Sequence, residues 1–205
     1  MPETVLPQTA PGRTALEPRH LRPRGVRLGE RQDLGKIDLR GDPHDRAFMA
    51  AVGRVLDLLL PGEPCTSAAK AQIAALWLGP DEWLVTCPAH DVARLIGALR
   101  AALAEVHAAI TDVTEGRVAV RIAGPSARDV LAKGCPLDLH PRAFPPGSCA
   151  QSLLAKATVL IHLLEDDRER GASFDVYGAR SFAHYLWTWL EDAGREYGVQ
   201  VELVA

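Results

Sequence analysis

The feature that most constrains this chain is a pattern of elements that occurs twice. A strand, a tight turn and a helix are followed by a pair of strands and a second helix, first over residues 26–104 and again over residues 117–205. The turns correspond as well: Arg40 to Pro43 read R-G-D-P, and Ala123 to Ser126 read A-G-P-S. In the first half, residues 35–40 place Ile37 and Leu39 on one face of a strand. Asp42 is placed as the helix N-cap and Pro43 at the first helical position. Phe48, Val52, Val55, Leu56 and Leu59 then recur at helical spacing until Leu60-Pro61-Gly62 ends the run. Strands at 73–78 and 82–86 flank Gly79-Pro80-Asp81, a hairpin signature. A helix over 91–104 lines up Val92, Leu95, Ile96 and Leu99. The second half predicts a strand at 118–122 and a helix at 126–133. Strands follow at 152–154, 157–164 and 174–177, then a last helix over 180–197 and an edge strand at 199–203. A sequence that repeats its element order in this way predicts an internal duplication. Two β-α-β-β-α halves, joined by a linker at 105–116, pack their helices on antiparallel sheets as a single α+β domain over 26–205.

Residues 1–25 stand apart. Pro2, Pro7, Pro11, Pro18 and Pro23 punctuate them, and proline removes backbone donors and fixes φ. They are expected to form an extended N-terminal arm, either free or laid in a groove of a partner.

Charge and apolar run length exclude some classes of function. The net charge is -3, so no global basic field holds a nucleic acid. The apolar stretches are strand-sized, far short of the ~20 residues of a membrane helix. The N-terminus lacks the basic start and apolar core of a signal peptide. The expected location is the cytoplasm, with no membrane partner.

The search for chemistry finds little. Cys65, Cys87, Cys135 and Cys149 form no C-x-x-C pair, and the seven histidines make no H-x-x-x-H or H-E-x-x-H spacing, so no metal site is expected. Neither Gly41-Asp42-Pro43 nor Gly124-Pro125-Ser126 clusters glycines as a phosphate loop does, and no dinucleotide fingerprint is present. His162, inside an apolar strand, reads as a satisfied core or interface residue, and so does His184 on the last helix. Cys135 and His140 lie close in sequence, but nothing supplies a third member or an oxyanion site. No G-x-S-x-G elbow surrounds Ser126 or Ser152. The expectation is no catalytic, cofactor-binding or metal-binding residue in this chain.

What remains are two candidate partner surfaces. Residues 133–147, K-G-C-P-L-D-L-H-P-R-A-F-P-P-G, combine four prolines and two glycines with Leu137, Leu139 and Phe144. A free loop does not usually expose such groups, whereas a proline-stiffened docking surface does, because rigidity lowers the ordering cost of binding. Trp187 and Trp189 sit two apart on the last helix and point to different faces, which leaves one for an interface. Leu137, Leu139, His140, Phe144, Trp187 and Trp189 are the candidate interface residues.

Three stretches carry a family resemblance. Residues 112–156, with the compositionally odd K-G-C-P-L-D-L-H-P, residues 174–190 (F-D-V-Y-G-A-R-S-F-A-H-Y-L-W-T-W-L) and residues 79–85 (G-P-D-E-W-L-V) resemble the γ subunit of bacterial heterotetrameric sarcosine oxidases. The resemblance implies a fold similar to the folate-binding domain of glycine-cleavage aminomethyltransferase. It implies a non-catalytic assembly subunit with α, β and δ subunits as partners. The complex so implied oxidises sarcosine to glycine and hydrogen peroxide, the methyl carbon leaving as formaldehyde or, with tetrahydrofolate, as methylenetetrahydrofolate. FAD, FMN, NAD, zinc and tetrahydrofolate are then held by the other subunits. Two alternatives stand beside it: a related complex that oxidises another N-methyl amino acid, and a stand-alone folate-binding aminomethyltransferase-like protein.

Overall fold

The computed structural model describes residues 25–202; the proposed N-terminal arm falls outside them, save Gly25. The element order is β1 (Val26–Glu30), β2 (Leu34–Gly41), α1 (Arg46–Leu56), β3 (Ser67–Lys70), β4 (Ile73–Gly79), β5 (Glu82–Pro88), α2 (Val92–Ala102) and β6 (Ala108–Asp112). It continues with β7 (Arg117–Gly124), α3 (Ala127–Ala132), β8 (Cys149–Leu154), β9 (Ala157–Asp167), β10 (Gly171–Ala179), α4 (Ala183–Gly194) and β11 (Val199–Val201).

The duplication extends further than the sequence pattern. Elements β2-α1-β3-β4-β5-α2-β6 and β7-α3-β8-β9-β10-α4-β11 follow the same order. One sheet runs β3-β4-β5-β2-β6 and the other β8-β9-β10-β7-β1-β11. The strands correspond one for one until β1, which lies antiparallel to β7 where β6 lies against β2. The strand equivalent to β6, β11, is displaced outward and pairs with β1 in parallel. The stretch 105–116, expected to be a linker, contains β6, which the short mixed run A-A-I-T-D does not announce.

Strand alternation makes four layers. Ile37, Leu39, Trp83, Val85 and Cys87 of the five-stranded sheet face α1 and α2. Val118, Val120, Ile122, Ile161, Leu163, Phe174 and Val176 of the six-stranded sheet face α3 and α4. The opposite faces meet each other through Leu34, Leu76, Leu78, Leu84, Ala119, Leu160 and Tyr177. The result is an α/β/β/α sandwich, because each strand has two apolar faces to cover and each helix only one.

Local chemistry moves some boundaries. The cap of α1 is Asp45, whose carboxylate accepts from the Ala47 amide at 2.7 Å, while Asp42 closes the preceding turn by accepting from the His44 amide. Helix α1 stops at Leu56 because Asp57 turns left-handed, so Leu59 lies beyond it and is 77% exposed. The A-G-P-S turn needs its glycine: at Gly124, φ is +133° and a Cβ would sit 2.4 Å from the Gly25 carbonyl oxygen.

Candidate functional site

The proline-rich segment is fastened to the domain by Arg128, on α3. Its guanidinium donates to the Leu139 and Phe144 carbonyls, pairs with Asp166 at 2.7 Å and lies 5.4 Å above the Phe174 ring. The Phe144 ring also stacks on Phe174, with ring centroids 6.4 Å apart. Leu139 is 4% exposed and Phe144 6%, and both belong to the core under α3 and α4. The expectation that these two side chains are presented to a partner is corrected here. They anchor the loop from inside, because the guanidinium satisfies the two carbonyls that an inward loop would otherwise leave bare. Arg128 reads in the sequence as one more surface charge on a helix, and no local signal marks it as the anchor of a loop.

The outer face of the same loop is a ridge. Pro136, His140, Pro141, Arg142, Ala143, Pro145 and Pro146 are exposed and Leu137 is half-buried. The ridge is preset: Asp138 accepts from the His140 amide at 2.9 Å, and the His140 ring accepts from the Arg142 amide at 3.2 Å. Cys135 is buried beside Ser152, so the structure does not join it to the exposed His140. Trp187 and Trp189 are both half-buried against the core that α4 covers, and Trp189 lies over Gly134. The wide apolar stripe of α4 therefore packs on its own domain, while His184 is exposed.

Between the sheets lies a polar row that the sequence did not reveal. Strand register aligns Arg121 (β7), Asp175 (β10), His162 (β9) and Cys149 (β8) straight across the six-stranded sheet. Asp175 accepts from Arg121 Nε and Nη2, both at 2.8 Å, and from Arg31 Nη1 at 3.1 Å. His162 lies 2.9 Å through Nε2 from Ser67 Oγ of the five-stranded sheet. Ser67 donates its own proton to the Gly147 carbonyl at 2.8 Å, which makes His162 Nε2 the protonated nitrogen and Nδ1 a buried lone pair without a partner. Cys149 Sγ donates to the Thr66 carbonyl at 3.1 Å.

A cysteine, a histidine and an aspartate in line invite comparison with a nucleophilic triad, but each is set against that chemistry. Burial pushes the Cys149 thiol up to about 12 and the His162 imidazole down to about 4, so a thiolate–imidazolium pair is strongly disfavoured. The His162 nitrogen facing Ser67 already carries its proton and cannot take another. Both oxygens of Asp175 are held by guanidiniums, so the carboxylate neither orients the imidazole nor is free for an incoming pterin. The row is a structural seam between the sheets. Among the described residues, no group of three His, Cys, Asp or Glu is arranged to hold a metal, and no helix is long and apolar enough to cross a membrane.

Comparison with known proteins places this geometry. The family model described as "Sarcosine oxidase, gamma subunit family" matches residues 40–196. The sarcosine oxidase subunit gamma of Corynebacterium sp. (strain P-1) is 33% identical over 173 residues, covering 84% of this chain and 81% of that protein. The subunit gamma of Arthrobacter sp. is 36% identical over 149 residues, covering 72% and 70%. Among solved structures, a chain of the heterotetrameric sarcosine oxidase from Corynebacterium sp. U-96 superposes with a TM-score of 0.75 at 30% identity, over 88% of each chain. The glycine cleavage system aminomethyltransferase T from Bartonella henselae superposes at 0.62 and 14% identity, over 87% of this chain and 48% of that one, which is a likeness of fold.

Proposed function

The chain belongs to the sarcosine oxidase gamma subunit family, and from that premise we propose that it is the non-catalytic assembly subunit of a heterotetrameric sarcosine oxidase. Sarcosine would then be oxidatively demethylated on the α, β and δ subunits, which would hold the FAD, FMN, NAD, zinc and tetrahydrofolate of the complex. The observation that carries the assembly role is the ridge at residues 136–146, stiffened by proline from outside and pinned by Arg128, Leu139 and Phe144 from inside. A surface whose shape is fixed before contact loses little conformational freedom on docking. Leu137 and His140 lie on that ridge. Leu139 and Phe144 set its shape from beneath, and Trp187 and Trp189 brace the neighbouring helix.

The reading as a stand-alone folate enzyme is disfavoured by one observation: the carboxylate buried between the sheets, Asp175, is already paired with two guanidiniums, those of Arg31 and Arg121. Whether the complex acts on sarcosine or on another N-methyl amino acid is decided by its other subunits.

The test is co-expression with those subunits. Replacing His140 and Pro145 together by glutamate should abolish co-purification and the oxidase activity of the complex while leaving the thermal transition of this chain in place. Stoichiometric recovery of the intact complex would refute the ridge as the docking surface. Turnover of sarcosine or a folate by this chain alone would refute the assembly role.

A further inference from the structure

The backbones of Cys65 and Cys149 lie opposite one another where the two sheets are stitched together. The bridge between Thr66 and Ser148 makes residues 65 and 149 the next antiparallel pair, and the Cys149 amide donates to the Cys65 carbonyl at 2.9 Å. Extended residues paired in that register have Cα atoms about 5.5 Å apart, and the Cys149–Cys65 hydrogen bond holds the two backbones at that range although Cys65 itself is left-handed. That falls inside the window of about 4.4–6.8 Å that a disulfide spans. Cys149 Sγ is already turned toward this segment, since it donates to the carbonyl of Thr66, the residue next to Cys65. The two thiols differ in access: Cys65 is exposed and Cys149 is fully buried. Cys65 also holds a left-handed backbone, φ 61°, a strained conformation for a residue with a Cβ. Residues 62–64 before it are exposed, so no packed side chain holds that stretch in place. A solvent-facing thiol beside a shielded one is the arrangement in which a peroxide oxidises the first and the second resolves it.

We propose that Cys65 and Cys149 close into a disulfide when the chain meets hydrogen peroxide. Cys65 sulfur attacks one peroxide oxygen, the O–O bond breaks, and the proton lost by the thiol leaves with the departing hydroxide as water. The sulfenic acid so formed is held against the buried Cys149, whose sulfur attacks it as the thiol, without prior ionisation. The S–O bond breaks, the hydroxyl takes the Cys149 proton and leaves as a second water, and the S–S bond forms. Two thiols are oxidised by two electrons and one peroxide is reduced. The bond ties the segment entering the five-stranded sheet to the edge of the six-stranded sheet, across the seam that Ser67 and His162 otherwise hold by hydrogen bonding. The oxidant alone rests on the proposed function: an oxidase that passes its electrons to dioxygen releases peroxide beside this subunit.

The test uses the full-length chain, reduced, freed of reductant and treated with one equivalent of hydrogen peroxide. Free thiols are then blocked, and the chain is read by mass spectrometry before and after proteolysis. The expected result is an intact chain lighter by two hydrogens, with the Cys65 and Cys149 peptides linked. C65S should abolish the link and leave Cys149 a free thiol, and C149S should leave Cys65 as a sulfenic acid that dimedone traps. The inference is overturned if Cys65 stays reduced, if it passes to sulfinic or sulfonic acid without the link, or if it joins the Cys65 of a second chain. Because the peroxide is added by hand, such a failure leaves the assembly role untouched, and that role fails only through the co-purification experiment.

Discussion

Replacing His162 by glutamine separates the cost of burying an imidazole from the hydrogen bond it makes. The glutamine amide nitrogen reaches the position of His162 Nε2 and donates to Ser67 Oγ as the imidazole does. What it cannot do is titrate. In the folded chain the His162 pKa falls from 6.5 to about 4, through burial first, with the Asp175 carboxylate opposing the fall and the Arg121 guanidinium adding to it. The side chain is 3% exposed, so solvent screens little of that effect. Between those two values the unfolded chain binds the proton and the folded chain does not, so stability is lost as pH falls from 6.5 toward 4. The full loss is about 3 kcal/mol at ~1.4 kcal/mol per tenfold, of which about 2 kcal/mol appears between pH 7 and pH 5. For a chain of this size that corresponds to roughly 4–8 °C in the melting temperature. Urea unfolding followed by tryptophan fluorescence, with Trp83 fully buried, reads it directly. At pH 7 the variant should be less stable by about 1 kcal/mol through imperfect packing. At pH 5 it should equal or exceed the parent, because the carboxylates and exposed histidines that also titrate are common to both and cancel in the difference. Parallel loss of stability by parent and variant over this range would refute the buried neutral imidazole.

Three further outcomes follow from the same structure. Phe144→Ala should destabilise the chain by about 3–5 kcal/mol, since it empties a core position stacked on Phe174; thermal unfolding of the isolated chain measures this with no partner present, which separates it from a docking defect. Asp175→Asn leaves the Arg31 and Arg121 guanidiniums without their buried counter-charge and should cost about 3–5 kcal/mol at neutral pH, read by denaturant midpoint at constant m-value. Gly171→Ala should lower the melting temperature, because φ there is +80° and a Cβ would sit 2.2 Å from the Gly124 carbonyl carbon; an unchanged transition would show that the A-G-P-S turn yields.

The sequence by itself determined the parts of this protein that local chemistry controls. The G-P-D hairpin, the strands β2, β7, β9 and β10 and the apolar stripes of the helices are written in residue period and turn residues, and they lie where those signals put them, within a few residues at their ends. The duplication and the family were legible for the same reason: each is carried by runs of neighbouring residues. Position across the sandwich was not legible. Nothing in V-R-L-G-E says that β1 inserts beside β7 and displaces β11, because strand order is a long-range choice made by the closing of two sheets. Nothing in Arg31, Arg121, His162, Asp175 and Ser67, scattered over four strands and the chain between β1 and β2, says that register and packing bring them to one seam. The loop at 133–147 shows the limit most clearly. Its apolar residues look exposed in a sequence that cannot show Arg128 beneath them, and only the tertiary structure supplies the cation that lets the backbone turn them inward. Local signals report what a residue prefers, whereas burial and partnership are set by groups distant in the chain, and those decide which face of a segment is left for another protein.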